Sequence, residues 1–170
     1  MSNVMAYLIA QPFAPNDVCG LVVRGESVFK GYWKCPELNA EVLTDGWWHT
    51  GDLARRDATG NFYIVDRKED MIVSGGYNVY SIEVEQVLSR HPGVSQVAVI
   101  GTPDPRWGEA IMAILVATRG SRPPDAELEA LCRADLAAYK IPKRFVFIDA
   151  MPMTTTGKVR KIELREIASA

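Results

Sequence analysis

Two runs of the sequence, VSQVAVIG (94–101) and EAIMAILVAT (109–118), constrain the fold most, because they are the clearest β-strands in the chain. They are short, apolar and rich in Val, Ile and Ala, the length and residue pattern of strands rather than of exposed helices. Helical signals flank them. Ser81 is predicted to N-cap a helix, SIEVEQVLSRHPG (81–93), with Val84, Val87 and Leu88 on one face and Pro92-Gly93 as its stop. Pro123-Pro124-Asp125 opens a second helix carrying Leu128, Leu131 and Leu136, which Pro142 ends before the strand KRFVFID (143–149). MIVSG is a short strand running into Gly75-Gly76, and KIELREIA (161–168) is a last short helix. The order β-α-β-β-α-β predicts a small α+β domain with a three-stranded sheet and flanking helices.

Upstream the pattern is β-rich. VMAYLIA (4–10) and GLVVRG (20–25) are short strands separated by QPFAPND. Pro36 starts a short helix, PELNAEVL, ended by Asp45-Gly46. HTGDLARRD (49–57) and NFYIVD (61–66) flank Ala58-Thr59-Gly60, a hairpin signal. The pattern changes near five consecutive charged residues, Asp66 to Asp70, read either as a solvated turn or as a boundary between two structural units.

Composition narrows the chemistry. At 170 residues the chain has room for one domain or two small ones, and 48% apolar with 24% charged residues is ordinary for a folded globular protein. A net charge of −2 supplies no electrostatic reason to bind nucleic acid or anionic membrane. No stretch reaches the length of a membrane span, and the opening MSNVMAYLIAQPF lacks the basic start of a signal peptide. Cys19, Cys35 and Cys132 are odd in number and scattered, with only His49 and His91 to assist, so no metal site is expected and a reducing cytoplasm is the simplest setting.

TTTGKVRK (154–161) raises the question of a phosphate site. The G-x-x-x-x-G-K-[ST] loop is excluded, because Pro152 stands where its first glycine would be and Val159 follows Lys158.

Taken with HTGDLARRD and DRKEDMIVSGGYNVYSIEVE (66–85), and with GLVVRGESVFKGYW (20–33) and DPRWGEAI (104–111), this segment resembles the AMP-forming adenylating enzymes. In order and spacing the five resemble the C-terminal third of an acyl- or aryl-CoA synthetase, from about Val18 onward. The resemblance implies a β-rich remnant of a distorted barrel over 1–67, the end of an incomplete N-terminal adenylation body. A mobile α+β C-terminal domain would follow over 68–170.

The resemblance also implies roles. Asp52 would hold the ribose hydroxyls of ATP, with Arg67 beside the ribose and phosphates. Glu69 would be the hinge, although Glu departs from the more usual Asp or Lys. Gly75, Gly76, Trp107, Lys143 and Arg144 would contact CoA, and Lys158 would be the catalytic cation of adenylation. Tyr77 and Ser81 depart from the family's usual Glu and Pro. His49 is read as structural. ATP and CoA would be co-substrates, with Mg2+ held mainly by the missing N-terminal portion. That portion, which carries the phosphate loop and the pocket for a small carboxylic acid, fatty or related, would be the partner. Alone, the chain is expected to be inactive, and unpaired strand edges before residue 65 would invite a homodimer. The alternative is a non-catalytic nucleotide- or CoA-binding module.

Overall fold

The computed structural model describes residues 4–9 and 17–169, so most of the QPFAPND connection lies outside the described residues. The chain divides into two compact units between Glu69 and Asp70, inside the charged run.

In the first unit, β1 (Val4–Ile9), β2 (Val18–Gly25), β3 (Leu43–Thr44), β4 (Trp47–Arg56) and β5 (Phe62–Arg67) form one antiparallel sheet. β4 is its axis. It pairs with β2 along one edge and with β3 and β5 along the other. Helix α1 (Pro36–Val42) has Pro in its first turn, where the missing N–H costs nothing. The helix stops one residue before the predicted Leu43, which instead begins β3. Asp45 and Gly46 both adopt positive φ, 52° and 77°, the two-residue hairpin turn that Asp-Gly favours. Asp57 organises the β4–β5 turn, its carboxylate accepting from the Thr59 and Asn61 amides and from the hydroxyls of Thr59 and Tyr63. Among the described residues of this unit only Val22, Leu53 and Ala54 are buried hydrophobics, while Trp33 is 85% exposed.

The second unit contains β6 (Ile72–Ser74), β7 (Tyr77–Val79), α2 (Ser81–Leu88), β8 (Val94–Asp104), β9 (Gly108–Ala117), α3 (Asp125–Asp135), β10 (Arg144–Phe147) and α4 (Lys161–Ser169). β8 and β9 are a long antiparallel hairpin, and β10 pairs with β9 in parallel. The sheet has five strands rather than the expected three, since Gly75-Gly76 turn the chain back and β7 pairs with β6. Strands of three residues are too short to show a period of two.

The apolar run over 109–118 is explained by cover on both faces. Ile111, Ala113 and Leu115 pack with Val84, Leu88, Leu128 and Cys132 under α2 and α3. Met112 and Ile114 pack with Ile100, Met151 and Leu164 under α4. Each large side chain buried this way contributes about 1.5–3 kcal/mol. The predicted face Val84, Val87 and Leu88 is buried as expected, but Ser81 is not the N-cap. Tyr80 holds that position, while Ser81 is inside the first turn with its hydroxyl buried and engaged elsewhere. Helix α3 ends at Asp135, before Pro142, and a single 3-10 turn over Ala138–Lys140 covers the interval. No helix among the described residues is long and apolar enough to cross a membrane.

Candidate active site

The candidate residues fall into three places. The first is on β4 and β5. A bulge at Leu53/Ala54 slips the ladder by one residue, so that Asp52 faces Arg67 rather than Asp66. Without the slip two carboxylates would oppose each other. With it, Arg67 Nη1 donates to Asp52 Oδ1 at 3.0 Å. Gly51, at φ 77°, makes room for this reach, since a Cβ there would stand 3.3 Å from Arg67 Nη2. The Thr50 hydroxyl accepts from the Asp52 amide and donates to the Leu21 carbonyl, tying the turn of T-G-D to β2. A cavity of about 280 Å³ opens beside Asp52, with Gly51, His49 and Lys68 in its wall. A carboxylate here has lone pairs to spare for two neighbouring hydroxyls. Glu69 lies in the 3-10 turn Lys68–Asp70, 3.9 Å from Arg67.

The second place is the pair of hairpin ends in the second unit. Gly75 and Gly76 have φ of 58° and 82°, the left-handed backbone that a two-residue turn requires. The Gly75 amide donates to the Trp107 carbonyl at 2.8 Å, and Ser74 pairs with Gly108. Trp107 is presented by a turn in which Asp104 accepts from the amides of Arg106 and Trp107. Gly75, Trp107 and Lys143 share a cavity of about 260 Å³ with Tyr77 and Tyr139, whose rings stack at 4.7 Å. Lys143 Nζ is 5.8 Å from the indole centroid and Arg106 Cζ 4.6 Å. Gly76 and Arg144 are not part of this wall. Tyr139 carries no motif in the sequence, and its only signal is an aromatic ring beside the cations of Tyr139–Arg144.

The third place, in the second unit, is the loop of Lys158. The Thr154 amide donates to the Lys158 carbonyl at 2.7 Å, and the Lys158 amide donates to the Thr154 hydroxyl at 3.0 Å. Gly157, at φ 80°, closes the turn. The result is a small hairpin in which the exposed Lys158 stands opposite Thr154, at the base of the turn. Arg160 pairs with Glu163 and Lys161 with Glu85. No group of three ligand-type side chains able to hold a metal occurs among the described residues.

Residues 83–158 match the model of the AMP-binding enzyme C-terminal domain. A feruloyl-CoA synthase of an Amycolatopsis species is 51% identical over 155 residues, 91% of this chain and 32% of that protein. A long-chain-fatty-acid–CoA ligase of Bacillus subtilis is 43% identical over 90% of this chain and 27% of its own length. The crystal structure of ATP-bound MatB from Rhodopseudomonas palustris superposes with a TM-score of 0.88 at 36% identity, over 96% of this chain and 34% of that one. The chain thus spans about a third of the length of the relatives it matches. Residues 83–158 match an AMP-binding enzyme C-terminal domain, and in sequence and fold the chain is similar to the C-terminal part of the AMP-forming acyl- and aryl-CoA ligases.

Proposed function

We propose that this chain supplies the ribose-binding edge and the mobile catalytic domain of an ATP-dependent acid–CoA ligase. The reaction joins a carboxylic acid to ATP, releasing pyrophosphate, and then exchanges AMP for the thiol of CoA. The observation that carries the reading is the Asp52–Arg67 pair, brought into register by the bulge and open to the cavity beside it.

In the first half-reaction Asp52 accepts hydrogen bonds from the two ribose hydroxyls, while Arg67 holds the carboxylate in place and faces the phosphates. Lys158 then bridges the attacking carboxylate and the α-phosphate. An ammonium between two anions offsets their repulsion and the charge that grows in the transition state. Its position on an exposed hairpin suits a group delivered from outside. In the second half-reaction Gly75 and Gly76 line the path of the pantetheine arm, and Trp107 and Lys143 meet the nucleotide end of CoA, with Arg144 close by in sequence. Glu69, at the division between the units, serves as the hinge between the two states. Mg2+ accompanies ATP and is held by the portion of the enzyme outside this chain.

The acid is an acyl or aryl carboxylate. Relatives named for feruloyl and for long-chain fatty acyl groups match the same stretch, so fatty and aromatic acids are tested together. The free edges of the first unit's sheet would pair with the rest of the adenylation body, or with a second copy when that body is absent.

The test is pyrophosphate release with ATP, magnesium and a panel of acids, by this chain alone and mixed with the N-terminal portion of a related ligase. Activity only in the mixture, lost in Lys158→Ala, is the expected result. Silence in both would favour a binding module without catalysis, and turnover by the chain alone would mean the active site is misplaced.

A further inference from the structure

Lys161 closes the basic run that begins at Lys158, and its side chain is only 14% exposed. Its Nζ lies 2.7 Å from Glu85 Oε1 and donates to the Ser81 hydroxyl, also at 2.7 Å. Glu85 is itself fixed, since the same oxygen accepts from the Val99 amide of β8 at 2.8 Å. One turn further along α4, Arg165 Nη2 donates to Asp70 Oδ1 at 2.8 Å. Both cations leave the same side of α4. One reaches the start of α2 and the other reaches the first residue after Glu69.

Apolar contact already docks this helix, because Leu164 between the two cations is fully buried. A half-buried ion pair adds little net stability over an apolar pair of the same volume. What it adds is direction, since a charge with two acceptors at fixed points allows one rotation and one height of the helix. The loop inherits that setting at short range. The Arg160 amide donates to the Pro152 carbonyl, Val159 bridges Met153, and Lys158 stands three residues before the anchor.

Resting on the ligase reading above, we propose that Lys161 and Arg165 are positioning residues. They clamp α4 to Glu85, Ser81 and Asp70, and thereby set the place from which the Lys158 ammonium is delivered. Lys158 then moves with the hinge as part of one rigid body, without a search by a loose loop.

Two measurements test the clamp. In the 170-residue chain, amide hydrogen exchange is followed in the double variant Glu85→Gln/Lys161→Met, which removes both charges and strands neither. The amides of Thr154, Gly157 and Lys158 are expected to exchange at least about tenfold faster while those of Ala113 and Leu115 stay within about twofold. Arg165→Met gives an independent second variant with the same expected sign. Loop exchange unchanged in both variants overturns the proposal. In the ligase assembled with the adenylation body, Lys161→Met should lower kcat of acyl-adenylate formation about tenfold or more with KM for ATP kept within about twofold. Thioester formation from supplied acyl-adenylate should survive, and Lys161→Arg should recover most of the rate. Equal loss in both half-reactions would reduce Lys161 to a fold-stabilising residue and overturn the proposal. Faster loop exchange together with full adenylation by Lys158→Ala would uphold the clamp and refute the catalytic role of Lys158.

Discussion

The indole of Trp107 packs so closely on Gly75 that a Cβ added there would stand 2.9 Å from Cε3, while the backbone of the same two residues is joined by a 2.8 Å hydrogen bond. The contact ties the tip of one hairpin to the tip of the other. It also leaves no space between backbone and ring for any side chain.

Gly75→Ala is therefore expected to do two things. The left-handed φ of 58° costs a non-glycine residue about 1–2 kcal/mol. The methyl group must also push the indole aside and so reshape the cavity. In the assembled ligase, thioester formation should fall by about tenfold or more while pyrophosphate release changes little. Gly76→Ala meets no atom within 4 Å and should show only the backbone cost. Half-reaction assays beside thermal melts separate the two effects. Equal loss of CoA transfer in both variants would remove the indole contact as the cause.

Asp52 gives a second prediction. The pair with Arg67 is partly exposed, and such pairs contribute at most about 1 kcal/mol to stability. Asp52→Asn should thus leave the melting temperature nearly unchanged. Its effect on ATP should be larger, since charge-assisted hydrogen bonds are worth about 1.5–3 kcal/mol each. KM for ATP in the assembled enzyme is expected to rise about tenfold or more, and Arg67→Lys should produce a smaller rise. A large drop in melting temperature with KM unchanged would assign the pair to folding instead.

These residues also show what could be read without coordinates. The buried face of α2 was legible because Val84, Val87 and Leu88 repeat at helical spacing. The β4–β5 hairpin was legible from its turn. The pairing of Asp52 with Arg67 was not, because a bulge shifts register by one residue and leaves no compositional trace. Ser81 reads as a cap by residue type, yet its hydroxyl is instead taken up by a half-buried lysine eighty residues away. Tyr139 entered the cavity through a 3-10 turn that no periodicity announces.

A third prediction concerns acid. Hydrogen bonds from the Thr59 side chain first, then from the backbone and side chain of Asn61 and from Tyr63, hold the Asp57 carboxyl well below the usual carboxylate range. A depressed value in the folded state means that this group stabilises the fold above its unfolded pKa of about 3.9 and that the contribution is lost as pH falls through the folded value. Asp57→Asn should therefore lower the melting temperature at pH 7 and narrow the difference between pH 5 and pH 3. Identical pH profiles for the two proteins would show that the turn bonds are made equally well by the amide.

The thiols provide the last prediction, and its sign is opposite. Burial first, and then the charge of Glu129, pushes the Cys132 thiol up to about 11. A folded value above the unfolded one, near 8.5, favours the folded state below pH 8.5, and this contribution is lost as pH rises toward 11. Burial and Asp17 also raise Cys19, whereas Cys35 is exposed. A thiol-specific reagent at pH 7.5 should thus label Cys35 rapidly, Cys19 slowly and Cys132 only on unfolding, since the thiolate is the reacting form. Mass mapping of the labelled peptides over time checks the order. Early labelling of Cys132 would mean that α3 opens locally from the sheet, and the core beneath it would then be less stable than its burial implies.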